Sequence, residues 1–231
     1  MAQPAIKPMS LDEFLHWNDG SDTHYELIGG FPVAMAPPAE VHRALAVRLV
    51  TRIDGALSSR RPCNAQIDAG VIRPDRADTY FEADIAATCA PIEVGRQAVK
   101  EPFLIVEILS PSTERHDRRG KLPAYRRIET VKEILLVASD ERYAELHRRA
   151  GQRWLTEILR GDESAYFGLG RGRNLNVGAL RRYRIWRRHG TLTSDRLRRV
   201  NMVFQNKPCF RSLNINRLRA IWKTVLERNR G

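Results

Sequence analysis

No apolar run in this chain is long enough to cross a bilayer. The longest candidate, residues 103–109 (FLIVEIL), is short and carries Glu107 inside it, whereas a spanning helix needs about 20 apolar residues. The opening MAQPAIKPMS lacks a basic start followed by an apolar stretch, so no export signal is expected. Cysteine is scarce: Cys63, Cys89 and Cys209 are odd in number and far apart. That spacing suits neither a disulfide framework nor a zinc cluster, and a reduced, cytoplasmic setting is the expectation. Repeats and low-complexity segments are missing before residue 160. What is abundant is positive charge. The formal net charge of +12 resembles the footprint of a nucleic-acid binder. Its distribution argues against that reading for most of the chain. Residues 1–160 hold 22 Lys+Arg against 23 Asp+Glu, while residues 161–231 hold 17 against 4. The basicity belongs to the tail.

The remaining pattern divides the chain into a domain at 1–165 and a basic, Arg-rich C-terminal extension at 166–231. Ser10-Leu-Asp-Glu13 has the form of a capping box and predicts a short helix to about Trp17. Two strand-like runs, 25–28 and 31–35, meet through Gly29-Gly30, which suits a hairpin turn. Val41, Leu45, Leu49, Ile53 and Leu57 recur every four residues and predict an amphipathic helix. Strands are expected over 65–72, 84–87 and 103–109, the last apolar on both faces except for one carboxylate. A broken helical region should follow to about Ile128, because Pro123 lacks the N–H that a continuous helix needs. Further strands are expected at 134–138, 142–147 and 154–159. This order indicates an α/β or α+β domain with a central mixed sheet flanked by helices. The tail supports at most a weak helix from about Ile215 to Arg228. It reads either as a disordered extension or as sequence out of its frame.

Glu107 is the sharpest chemical clue. An unpaired carboxylate in an apolar strand costs several kcal/mol, so it must be protonated, paired or metal-bound. Asp84, in EADIAA, adds a second strand-borne carboxylate. Two such groups brought together repel unless a cation lies between them. Oxygen donors with open positions suit Mg²⁺ or Mn²⁺. Asp78 and Glu82 lie in a more polar stretch and rank below Asp84. The run Arg115, Asp117, Arg118, Arg119 reads as a solvated face. Ser110 and Ser112 read as capping residues.

From Glu107 onward the sequence VEILSPSTERHDRRGKLPAY resembles the restriction-endonuclease-like Uma-two family, within the PD-(D/E)XK nuclease superfamily. YELIGGFPVAMAPP, a helix opening with His42, an Asp-bearing strand and KEILLVASDERYAELHRR follow the family's order, so the resemblance covers roughly residues 10–160. It implies a metal-dependent endonuclease acting on DNA. Asp84 and Glu107 would be the acidic metal ligands, and Glu26 would complete the carboxylate cluster. Lys121 would orient the attacking water, and His42 would hold a water or a phosphate oxygen. Two positions depart from the superfamily pattern: Ala83 replaces the proline, and Leu109 stands where the lysine usually lies. In this family the lysine is displaced onto the following helix, which Lys121 matches. Cutting both strands suits a homodimer. A rival reading is a catalytically inactive DNA-binding or mobile-element-associated protein on the same scaffold.

Overall fold

A computed structural model of the protein describes residues 7–160. The basic segment 166–231, the helix expected within it and Cys209 lie outside the described residues.

The first elements follow local chemistry. Helix α1 (Leu11–His16) begins at Ser10, whose hydroxyl accepts from the Glu13 N–H while the Glu13 carboxylate accepts from the Ser10 N–H. Strands β1 (Tyr25–Ile28) and β2 (Phe31–Ala34) form the hairpin through Gly29 and Gly30, both with positive φ. Helix α2 (Glu40–Leu57) buries Leu45, Leu49, Ile53 and Leu57. Val41, expected on the same stripe, is exposed.

The rest is one twisted sheet. Strands β3 (Asn64–Ile72), β4 (Tyr80–Thr88), β5 (Pro102–Leu109), β6 (Glu133–Ala138), β7 (Tyr143–Ala150) and β8 (Arg153–Arg160) join the hairpin. Their order is β2-β1-β4-β5-β6-β7-β8, with β3 paired to β4 off this path. Only the β5–β6 pairing is parallel among those described. Between β5 and β6 lie α3 (Glu114–His116), a π-helical turn (Asp117–Lys121) and α4 (Leu122–Tyr125). Pro123 sits in the first turn of α4, where its missing N–H costs nothing. Helix α2 covers one face of the sheet over a core that includes Ile85, Val106 and Leu135. The α4 segment covers the other, packing Tyr125 into a core with Phe81, Ile105 and Ile134. Strand β4 begins four residues before the expected 84, because Tyr80 through Ala83 pair with β3 despite the polar Glu82 among them.

Strand β4 has one side fully occupied and the other divided. Strand β3 runs alongside it from Tyr80↔Ile72 to Thr88↔Asn64. On the opposite edge, β5 pairs with β4 from Thr88 to Ile85, and β1 meets it at Tyr80. Between those partners the sheet forks. Opposite Asp84, in β3, stands Asp68 with φ 46. Across this kink the odd-numbered side chains pass from one core to the other: Ile85 and Ala87 lie in the core under α2, Phe81 and Ala83 in that under α4.

One sequence expectation is overturned. Cys63 and Cys89 form a disulfide. The β3–β4 ladder ends at Asn64↔Thr88, so one further step sets these two cysteines opposite each other, a proximity their linear spacing conceals. Scarcity of cysteine therefore no longer argues for a reducing compartment. Among the described residues no helix is long and apolar enough to cross a membrane.

Gly70 is required by close approach. A Cβ there would lie 2.3 Å from both the Gln97 carbonyl oxygen and the Tyr80 hydroxyl, where the Val99 N–H donates to the Gly70 carbonyl. Gly70→Ala is expected to cost about 1–3 kcal/mol through overpacking, lowering Tm by several degrees in a thermal melt. An unchanged Tm would show that the segment around Gln97 yields freely.

Candidate active site

The fork in the sheet removes ladder partners from the middle of β4 and the end of β5, and buried main-chain groups must be satisfied in some other way. Charged side chains do it. The Ile108 N–H donates to Asp84 Oδ2 at 2.6 Å. The Glu82 N–H donates to Glu26 Oε1 at 3.1 Å, and the Glu82 carbonyl accepts from Lys121 Nζ at 2.9 Å. The register Ile85↔Val106 carried one step further sets Asp84 opposite Glu107.

Lys121 is the hub. Its side chain is 5% exposed, and its ammonium lies 2.9 Å from Glu26 Oε1, 3.4 Å from Glu107 Oε1 and 3.7 Å from Asp117 Oδ1. Burial works to lower its pKa, but the charges of Glu107, Glu26 and Asp117 outweigh that and raise it. The ammonium is therefore permanent at any ordinary pH. Glu107 is 2% exposed. Burial pushes its carboxyl well above the usual carboxylate range, and the charges of Asp84 and Asp117 add to the push against the pull of Lys121. The Tyr125 hydroxyl donates to Glu107 Oε1 at 2.6 Å. Burial and the Glu107 charge hold that phenol firmly protonated. Glu26 behaves differently. Burial would raise it, yet the bonds from His116 and Lys121 bring it below its ordinary value. His116 Nε2 lies 3.0 Å from Glu26 Oε2.

His42, near the start of α2, places Nε2 3.2 Å from Asp84 Oδ1. That bond raises the imidazole's pKa against the effect of burial. Beyond it, His24 Nδ1 lies 2.8 Å from Glu82 Oε1. Asp78, the lower-ranked competitor, pairs with Arg76 instead.

The five residues singled out from the sequence thus fall into two linked groups, Glu26–Lys121–Glu107 and His42–Asp84, joined where Asp84 faces Glu107. Sequence reasoning missed three others. Asp117, read as part of a solvated face, is buried because the segment carrying it packs over the sheet. His116 and Tyr125 were given no role, yet each bonds a carboxylate of the cluster. A signal existed. Asp117, Lys121 and Tyr125 recur every four residues, which puts a carboxylate, an ammonium and a phenol on one helical face. The expectation of a helix broken at Pro123 hid that stripe.

As a cation site the cluster is suited in its donors. Asp84 and Glu107 are hard oxygen ligands whose mutual repulsion and burial a divalent ion would relieve. Both close contacts of Glu107, from Tyr125 and Lys121, fall on Oε1. Glu26, by contrast, has both oxygens engaged, Oε1 twice over, whereas each oxygen of Asp84 has a single close contact, from His42 and from the Ile108 N–H. Among the described residues no three His, Cys, Asp or Glu side chains are already gathered around a common point.

Three comparisons bear on this geometry. The uncharacterized protein slr1290 of Synechocystis sp. (strain ATCC 27184 / PCC 6803 / Kazusa) is 30% identical over 149 residues, 64% of this chain and 78% of that protein. The crystal structure of "a putative nuclease belonging to DUF820" from Anabaena variabilis ATCC 29413 matches with a TM-score of 0.56 at 20% identity, covering 68% of this chain and 88% of that one. At that identity the likeness establishes the fold. The model of the Uma2 family, described as "Putative restriction endonuclease", matches residues 11–177. With a forked sheet, a buried lysine hub and a family match over most of its length, the chain belongs to the Uma2 family of nuclease-like proteins.

Proposed function

We propose that this protein is a divalent-metal-dependent endonuclease that hydrolyses phosphodiester bonds in DNA. One observation carries the reading: Asp84 and Glu107 face each other at the fork, with the Lys121 ammonium 3.4 Å from Glu107. Asp84 and Glu107 would hold Mg²⁺ or Mn²⁺, Glu107 through Oε2. When bound, such an ion polarises the phosphate and makes a bound water a better nucleophile.

The chain's own residues supply the remainder. Lys121 points a permanent positive charge into a water-poor site, where it stabilises negative charge developing on the phosphate and orients the water. Its aim is set by Glu26 Oε1 and the Glu82 carbonyl, which hold two of its three N–H donors. The third, at the longer distance to Glu107, is the one released to the reaction. Glu26 is thereby a positioning residue for Lys121. Tyr125 fixes the rotamer of Glu107 by its bond to Oε1. The Asp84 bond raises the His42 pKa against burial, and His42 would offer a donor to a phosphate oxygen of the DNA backbone. The described residues hold one such cluster, so two copies acting together would sever both strands of a duplex.

Purified protein is expected to nick or cut DNA with Mg²⁺ or Mn²⁺ and to stop when a chelator is added. Glu107→Gln keeps the shape and the Tyr125 contact but removes the ligand charge. It should depress cleavage by more than the ~10–100-fold typical of outer-sphere partners of a metal. Cleavage that persists in chelator or in this variant would instead favour the catalytically inactive, DNA-binding reading for this site, with the activity due to a contaminant.

Lys121→Met is expected to fail in two separable ways. Removing the ammonium leaves Glu26, Glu107 and Asp117 buried without their shared counter-charge, a loss of about 3–5 kcal/mol. In that variant the carboxyls bind protons more readily in the folded than in the unfolded state. Its stability deficit in denaturant titrations should therefore shrink as pH falls. A deficit independent of pH would mean that Lys121 acts through packing alone. Cleavage should be lost at every pH.

A further inference from the structure

Glu26 is the residue the resemblance nominates as third acidic ligand, yet its oxygens are already committed. Oε1 takes the Lys121 ammonium and the Glu82 N–H, and Oε2 takes His116. Turning it toward an ion would take from the buried ammonium its nearest carboxylate and leave a buried main-chain donor unpaired, both costly. Asp117 is in the reverse position. Its side chain is 5% exposed, as buried as that of Lys121. The Thr113 hydroxyl donates to it, and the nearest ammonium, at 3.7 Å, lies beyond hydrogen-bond length. A carboxylate so deeply buried with so little compensation is unusual. Its charge also acts on Glu107 and on His42, and that of Asp84 acts on it. Asp117 and Glu107 share one ammonium, at 3.7 and 3.4 Å.

We infer that Asp117, rather than Glu26, is the third carboxylate of the divalent-ion site, and that it binds a water of the ion rather than the ion itself. The inference rests on the metal-dependent reading above. The outer-sphere form follows from two facts. No three candidate ligands among the described residues converge on one point, so direct ligation by Asp117 would demand a rearrangement of the π-helical turn. Mg²⁺ also keeps several of its waters and uses one or two carboxylates, which Asp84 and Glu107 supply. Asp117 then accepts a hydrogen bond from a bound water while Lys121, four residues on and on the same face, donates to the same neighbourhood.

The test is calorimetric titration of Mg²⁺, and separately Mn²⁺, into the full-length wild type, Asp117→Asn, Asp117→Glu and Glu26→Gln, with thermal melts to verify folding. Asp117→Asn should weaken ion binding ~10–100-fold, the range for outer-sphere partners, and Asp117→Glu should recover part of the loss. Glu26→Gln should leave the affinity close to wild type while lowering the cleavage rate, because Glu26 anchors Lys121, the Glu82 N–H and His116 rather than the ion. Asp117→Asn binding the ion as wild type does, or Glu26→Gln losing as much affinity as Asp117→Asn, would overturn the inference and leave the metal-dependent reading standing. Should Asp117→Asn not fold, an Asp117→Glu variant that folds but binds far more weakly than Glu26→Gln supports the inference, and equal binding by the two overturns it. A wild type that takes up neither ion removes both.

Discussion

The structure depends on the point where β4 loses β5 as a neighbour and has not yet met β1. A sheet that splits there exposes main-chain donors and acceptors in a dry interior, where each unpaired group costs on the order of 1–3 kcal/mol. Extra strands do not fill the gap. Asp84 accepts from Ile108, Glu26 from Glu82, and Lys121 donates to Glu82. The groups fit for chemistry are thus also the groups that close the backbone. This explains how so many charges come to lie in the interior of a near-neutral domain: each of these three is fixed by a main-chain bond as well as by its ionic partners.

The charges themselves are unbalanced by construction. Around one ammonium stand Glu26, Glu107 and Asp117 within 3.7 Å, with Asp84 across the sheet from Glu107. Glu26, bonded by His116 and Lys121, is pulled below its ordinary pKa, whereas Glu107 and Asp117 are pushed above theirs, chiefly by burial. Carboxyls of one cluster are thus driven in opposite directions, a pattern more common where groups have distinct tasks than in a structural ion pair.

Much of the scaffold is legible in the sequence, because it is written in local periodicity. Leu45, Leu49, Ile53 and Leu57 announce α2, and Ser10 with Glu13 announces the start of α1. Glu107 is conspicuous because it interrupts an apolar strand. What escapes is whatever depends on pairing between distant segments. Glu26 meets His116 across 90 residues and the Glu82 N–H across 56, and nothing near Glu26 in the chain signals either partner. Cys63 and Cys89 look unrelated until the β3–β4 register sets them opposite each other. Asp117 was hidden by composition. Set among Arg115, Arg118 and Arg119 it reads as one more solvated charge, and only the spacing to Lys121 and Tyr125 marks it as inward-facing. The family resemblance located Glu26 and Lys121, but it conveyed no sense of which carboxylate is occupied by which donor.

The two bonds at Glu82 have a consequence for how the site can change over generations. Glu26 and Lys121 grip the amide hydrogen and the carbonyl oxygen of that residue, not its side chain. Every amino acid but proline carries both atoms. Mutation can therefore rewrite the side chain at position 82, and with it the contact to His24, without loosening the lysine's mooring. An alignment of relatives could show a drifting residue at the very spot where the structure is most constrained. Constancy would appear instead in its two partners, far away in the chain.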